Sequence, residues 1–226
     1  EDGAFAFCKK LKKVDFSDSS KLRVIENNLF LFSSIEQIYI PSNVMEFKEC
    51  WCYNACKLNK MIISPNNKYL KCYDDKFILG RKYTDDFDVL VFAPRNIENV
   101  IIPSFIKEIA SSAFQSCMCI QKVGFSNDSN LIKIDNYAFD SAVFNNIVLP
   151  SKLRFICDYA FCRCTKLKKI DFLNDSELET IGKYAFNLCS IRNFTVKKNV
   201  KQIDIKAFSD CLYLQIVEIE DNSKLN

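Results

Sequence analysis

The sequence predicts an α/β solenoid, right-handed, with nine short parallel strands on a concave side, short helices on the outer side and one inserted hairpin. Three observations point there. A hexamer of pattern apolar-x-x-apolar-x-apolar occurs nine times in 226 residues. Seven of the eight spacings between hexamers are 23 or 24 residues, and the eighth is 39. Between hexamers an Ala-Phe dipeptide recurs, with an isoleucine four residues before the alanine. Self-similarity at such a period is the mark of coils that bury their apolar faces on one another.

The hexamers supply the strands. They read LKKVDF from Leu11, IEQIYI from Ile35, LNKMII from Leu58, IENVII from Ile97 and IQKVGF from Ile120, then FNNIVL from Phe144, LKKIDF from Leu167, IRNFTV from Ile191 and LQIVEI from Leu214. The last two apolar residues of each alternate with polar ones, as in a half-buried strand. Two kinds of turn follow in alternation. SDSSKL, SNDSNL and LNDSEL suit side-chain-to-backbone hydrogen bonds, whereas in PSNV and PSKL proline ends the strand by removing a ladder donor. The full period is therefore about 47 residues, a pair of coils.

The outer segments are VIENNLF, EIASSAF, KIDNYAF, FICDYAF, TIGKYAF and QIDIKAF. A spacing of four places the isoleucine and the alanine on one face of a short helix. Such helices are too short to persist alone and depend on neighbouring coils. At Trp51-Cys52 the Ala-Phe pair is lost, while Phe47 and Leu58 keep the frame.

The 39-residue spacing marks an insert over 64–95, a hairpin or variant turn. NNKYLKCYDDKFILGRK reads as two strands joined at Asp74-Asp75, and DVLVFAP as a third. About 32 residues bury too little to form a separate domain, so 1–226 is read as one solenoid. It opens in mid-repeat at EDGAFAFCKK, without an initiator methionine or signal pattern, and reads as a fragment cut at both ends.

Composition narrows the function. With 49% apolar and 26% charged residues the chain is an ordinary folded protein. A net charge of +3 argues against a dedicated nucleic-acid binder. No apolar run is long enough to insert in a membrane. The chain has no histidine, no phosphate-binding loop and no dinucleotide fingerprint, so neither an enzyme nor a cofactor is expected. Asp15 and Asp171 share a strand position but lie in the first and seventh hexamers, six apart, beside lysines, and read as solvated charges.

The repeated I-x-x-x-A-F-x-x-C-x-x-L-x-x-I-x-L-P unit, best seen over Ile156–Phe172 and Ile109–Phe125, resembles the BspA-type leucine-rich repeats. The insert is similar to a variant turn in that family. The resemblance covers essentially the whole chain and departs at Trp51-Cys52 and Leu29-Phe30. It implies a surface or secreted antigen that binds host or matrix proteins, and it brings no catalytic residue with it.

Twelve cysteines are present, of which Cys8, Cys117, Cys164, Cys189 and Cys211 stand four residues after the alanine. Ser33, Ala55 and Ala142 take that place elsewhere, so it reads as a small buried position where a free thiol acts as an apolar residue. Zinc is the competing reading, but C-x-C pairs without histidine do not make a structural site, and no metal is expected. Disulfides between coils stay open if the parent is secreted.

The concave face is the one surface that can be named. Third-position residues of the hexamers run Lys13, Gln37, Lys60, Asn99, Lys122, Asn146, Lys169, Asn193 and Ile216. Fifth-position residues run Asp15, Tyr39, Ile62, Ile101, Gly124, Val148, Asp171, Thr195 and Glu218. Tyr39, Ile62, Ile101 and Val148, with Lys60, Lys122 and Lys169 beside them, form the expected patch for an unidentified protein partner. Two other readings stand beside it: β-branched residues merely suit strands, or the insert covers Ile62 and Ile101. For the whole chain, the alternative to a binding module is a repeat spacer without a ligand of its own.

Overall fold

The structure, a computed structural model, describes residues 1–83, 85–173 and 175–225. Nineteen strands are numbered in chain order. Each hexamer yields one: β1 Lys13–Asp15, β3 Gln37–Ile40, β5 Lys60–Ile63, β9 Asn99–Ile102, β11 Lys122–Phe125, β13 Asn146–Leu149, β15 Lys169–Phe172, β17 Asn193–Val196 and β19 Ile216–Ile219. They pair in parallel with hexamer positions in register, as in Lys13↔Gln37↔Lys60 and Asn99↔Lys122. Ladders join β1-β3-β5, β9-β11, β13-β15 and β17-β19. The last three sets are coil pairs, matching the 47-residue period.

A second ladder runs along the other side of each coil. Its members are β8 Val89–Phe92, β10 Glu108–Ile109, β12 Lys133–Ile134, β14 Phe155–Ile156, β16 Thr180–Ile181 and β18 Gln202–Ile203, while in the early coils β2 Val24–Ile25 and β4 Glu46–Phe47 pair only with each other. The isoleucine of the Ile-x-x-x-Ala-Phe unit closes each short strand, so Ile109, Ile134, Ile156, Ile181 and Ile203 lie opposite one another across successive pairs.

The expected outer helices are absent: among the described residues the outer side is built of turns, and the fold is an all-β solenoid. The backbone shows why. The residue before the alanine and the third residue after it both have positive φ, as at Ser112 and Ser116, Tyr137 and Ser141, Tyr159 and Arg163, and Tyr184 and Leu188. A left-handed residue at every fourth place stops an α-helix from propagating. Each four-residue turn nevertheless returns the chain to the same face, which is why a spacing of four looked helical.

Backbone donors are shared between turn and neighbour. The N–H of Gln115 donates within the turn to the Ser112 carbonyl at 3.1 Å, while that of Phe114 donates to Ala138 of the next coil at 2.7 Å. Phe139, Phe161 and Phe186 repeat the bond to Ala160, Ala185 and Ala207. A helix would have spent these donors inside one coil. Here they stitch coils together.

The phenylalanines fill the space between layers. Phe114, Phe139, Phe161, Phe186 and Phe208 stack face to face at centroid separations of 4.9, 5.1, 5.2 and 5.2 Å. All twelve cysteines are free. At the repeated position, Cys164, Cys189 and Cys211 also donate their S–H to the Phe carbonyl of the preceding coil, each at 3.1 Å.

The insert forms an antiparallel hairpin, β6 Leu70–Tyr73 and β7 Phe77–Gly80, with Asp74 and Asp75 both left-handed at its tip. β7 pairs antiparallel with β8, and β8 runs parallel to β10, so the insert extends the second ladder. Ile78 joins the core of the early coils, Phe77 and Leu79 that of the later ones. β7 is thus buried on both faces where the two cores meet.

Candidate concave binding surface

The hairpin stands between β5 and β9, which do not pair. On one flank a groove of about 380 Å³ contains Lys60 and Ile62 with Cys72, Asp75 and Lys76 of the hairpin. On the other flank a groove of about 590 Å³ contains Asn99, Ile101 and Lys122 with Tyr73, Asp74 and Phe77. The hairpin therefore stands between Ile62 on one flank and Ile101 on the other. Ile101 remains 69% exposed and Val148 47% exposed, whereas Tyr39 and Ile62 are half-buried.

Strand alternation explains these exposures. Val100 and Ile102 turn into the core, so Ile101 must turn out. Tyr39 lies opposite Ile62 in the ladder, and its hydroxyl donates to Asp18 at 3.5 Å. The Ser64 hydroxyl above all, with Asn66, the Ser42 N–H and Tyr39, holds the Asp18 carboxyl below the usual range, against the cost of desolvation. Of the three expected lysines, Lys169 is tied to Asp171 on its own strand at 2.8 Å. Lys60 and Lys122 belong to no ion pair among the described residues.

Tyr73, Phe105 and Lys76 were not anticipated. Tyr73 meets Phe105 edge-on at 5.3 Å, and Lys76 reaches both grooves while bonded to Asp74 at 3.1 Å. Their signal was the 39-residue spacing with Asp-Asp at its centre, which located a hairpin but not the face it occupies. Among the described residues no group of three Cys, Asp or Glu side chains is placed to hold a metal. No helix among them is long and apolar enough to cross a membrane.

Parallel coils carrying an outward strand row over a stacked phenylalanine core define a leucine-rich-repeat solenoid. The chain belongs to the BspA type leucine rich repeat region family, of which six copies match over residues 1–74 and 88–222. The gap in that match, residues 75–87, falls inside the insert.

Solved structures share the fold. A leucine-rich repeat protein from Eubacterium ventriosum superposes with a TM-score of 0.76 at 21% identity, covering 96% of this chain and 56% of that one. A leucine rich cell surface protein from Faecalibacterium prausnitzii gives 0.61 at 18% identity, covering 96% and 62%. The pneumococcal vaccine antigen PcpA gives 0.54 at 22% identity, covering 93% and 44%. The chain thus spans roughly half of each of these proteins. No curated protein matches the sequence.

Proposed function

We propose that residues 1–226 act as one non-catalytic, protein-binding solenoid of a cell-surface or secreted protein, gripping its partner through the concave sheet. The observation that carries this reading is Ile101. It is the most exposed apolar residue of the central strands, set in a groove between an aromatic wall, Tyr73 and Phe77, and the cation of Lys122. An apolar centre with a charged margin is the usual anatomy of a protein contact. The lysines would speed encounter with an acidic partner and matter less as salt rises. A cell-surface protein and a vaccine antigen among the structural neighbours support the compartment.

The test is a binding screen of the purified chain against host-surface and matrix proteins. It is followed by Tyr39→Ala combined with Ile101→Asp on any partner found. Lost binding with unchanged unfolding supports the patch, and unchanged binding removes it. A chain that retains nothing from the screen favours the spacer reading.

A further inference from the structure

We propose that the insert carries an anion site of its own, in which Lys68, Lys71 and Arg81, lining one groove with Phe87, bind a phosphate or sulfate monoester. The site does not depend on the concave patch. It is a groove of about 560 Å³ with Ile63, Leu70 and Phe87 as apolar lining and those three cations around it. No carboxylate lines it.

Two of the three cations meet on one ring. The Arg81 guanidinium lies 4.2 Å from the Phe87 centroid, and Lys71 Nζ lies 5.9 Å from the same centroid. A guanidinium resting on a ring keeps its edge N–H donors free. None of the ion pairs among the described residues includes Lys68, Lys71 or Arg81. Asp18 accepts from the Ser42 N–H at 3.1 Å and from Asn66 at 3.4 Å, and no Asp or Glu is among the residues that line the groove. Three positive charges share one hollow with no counter-charge in it. A bound anion turns their mutual repulsion into attraction.

The groove is also held in shape. Asn67 accepts from the N–H groups of Tyr69 and Leu70 at 2.8 and 2.9 Å and donates to the carbonyls of Pro41 and Val44 at 2.8 and 2.9 Å. It thereby fixes the segment that carries Lys68 and Lys71, which lowers the ordering cost of binding. An arginine fork with two lysine point charges suits an anion of more than one charge and several acceptor oxygens. The apolar lining leaves room for the organic group that a monoester brings, either an aryl phosphate or a sulfated sugar.

Sodium sulfate and sodium phosphate titrated at constant ionic strength, read by amide NMR shifts, test the site. Saturable shifts confined to residues 63–72 and 80–87, weakened at least tenfold in Arg81→Gln and unchanged in Lys166→Gln, are the expected result. Thermal unfolding checks that Arg81→Gln is folded, and Lys71→Gln gives an independent second variant. Equal shifts with chloride, or undiminished binding in both variants, overturn the proposal. Phosphotyrosine and a sulfated disaccharide then compete as probes. Tenfold tighter binding of one over the other names the source of the ester, and equal binding leaves the anion itself as the recognised group.

Discussion

Arg95 turns its guanidinium onto Cys52, with Nη2 3.0 Å from the thiol sulfur, at a site where Arg95 is 1% exposed. No carboxylate takes part. Nη1 donates to the carbonyls of Ala93 and Ala113, both at 2.8 Å, and Nη2 also reaches Ser112 at 3.2 Å, above the Phe92 ring at 4.8 Å. The coil containing the insert lacks a full outer turn. Its neighbours therefore close directly on each other, the N–H groups of Cys50 and Asn54 donating to Ser112 and Ser116 hydroxyls at 2.9 and 3.1 Å. Arg95 and Trp51 fill what is left.

Arg95→Ala is expected to cost about 3–5 kcal/mol, because it opens a cavity and strips donors from buried carbonyls. Arg95→Met keeps the volume and removes a desolvated charge, so about 1–3 kcal/mol is expected. Equal losses for the two variants in urea unfolding would show that packing around the guanidinium is unimportant.

The thiols beside Arg95 remain protonated. Burial pushes Cys117 up to about 11 against the pull of the Arg95 charge, and burial likewise raises Cys52. An unfolded thiol releases its proton near the ordinary value of 9.0, whereas the folded one holds it to about 11. Above pH 9 the unfolded state therefore binds fewer protons, and stability falls as pH rises from 9 to 11 while staying flat below. Under reducing conditions Cys117→Ala should flatten that decline by roughly 1–2 kcal/mol between pH 8 and pH 10.5. Parallel pH curves for the two proteins would contradict the burial of this thiol.

Leu188, left-handed at φ 60°, distinguishes a turn from a helix. In a helix Leu188→Gly would cost about 1 kcal/mol. In the observed turn, glycine relieves about 1–2 kcal/mol of left-handed strain and gives back a similar amount in unfolded-chain entropy. Thermal unfolding should register a near-neutral change, and Leu188→Val should be the worse substitution, since a branched side chain fits this φ poorly.

Phe161 stacks between Phe139 and Phe186 and is fully buried. Phe161→Ala is expected to cost about 3–5 kcal/mol. A loss below about 1 kcal/mol in chemical denaturation would mean that the neighbouring rings close the gap without penalty.

The strands were readable because side-chain alternation is imposed by the pleat: Val100, Ile101 and Ile102 already show which residue faces out. The turn pattern was not, because its cause is backbone sign. Tyr137, Arg163 and Lys206 all sit at positive φ, where the permissive residue is glycine, and the chain has four glycines in all. Nothing in a Tyr-Ala-Phe string announces a left-handed tyrosine. The two outward rows of the strands were legible, but the hairpin standing between Ile62 and Ile101 was not. Asp74-Asp75 fixes the turn and says nothing of the face on which Tyr73 and Lys76 emerge. The anion groove and Arg95 escaped for a related reason. Their residues belong to the insert, outside the repeat that made the rest comparable from coil to coil.

Gly182 makes the sharpest test of how closely coils approach. A Cβ there would lie 2.6 Å from Asp158 Oδ1 and 2.7 Å from both the Asp158 nitrogen and the Cys157 carbonyl carbon. Two of those atoms are backbone and cannot swing aside. They are held by Ile156 opposite Ile181 in the ladder, and the third, Asp158 Oδ1, is held by the Lys183 N–H donating to it at 2.8 Å. Neighbouring coils carry Cys157 and Asp204 at the same place in the repeat, so the position itself tolerates a side chain. The restriction belongs to this one coil contact. Gly182→Ala should therefore destabilise by about 1–3 kcal/mol through overpacking, although alanine is otherwise the gentlest replacement for glycine. Cys157→Ala, one coil earlier, should cost less. Urea unfolding of the pair settles the point, and a neutral Gly182→Ala would mean that the coils can part here without loss.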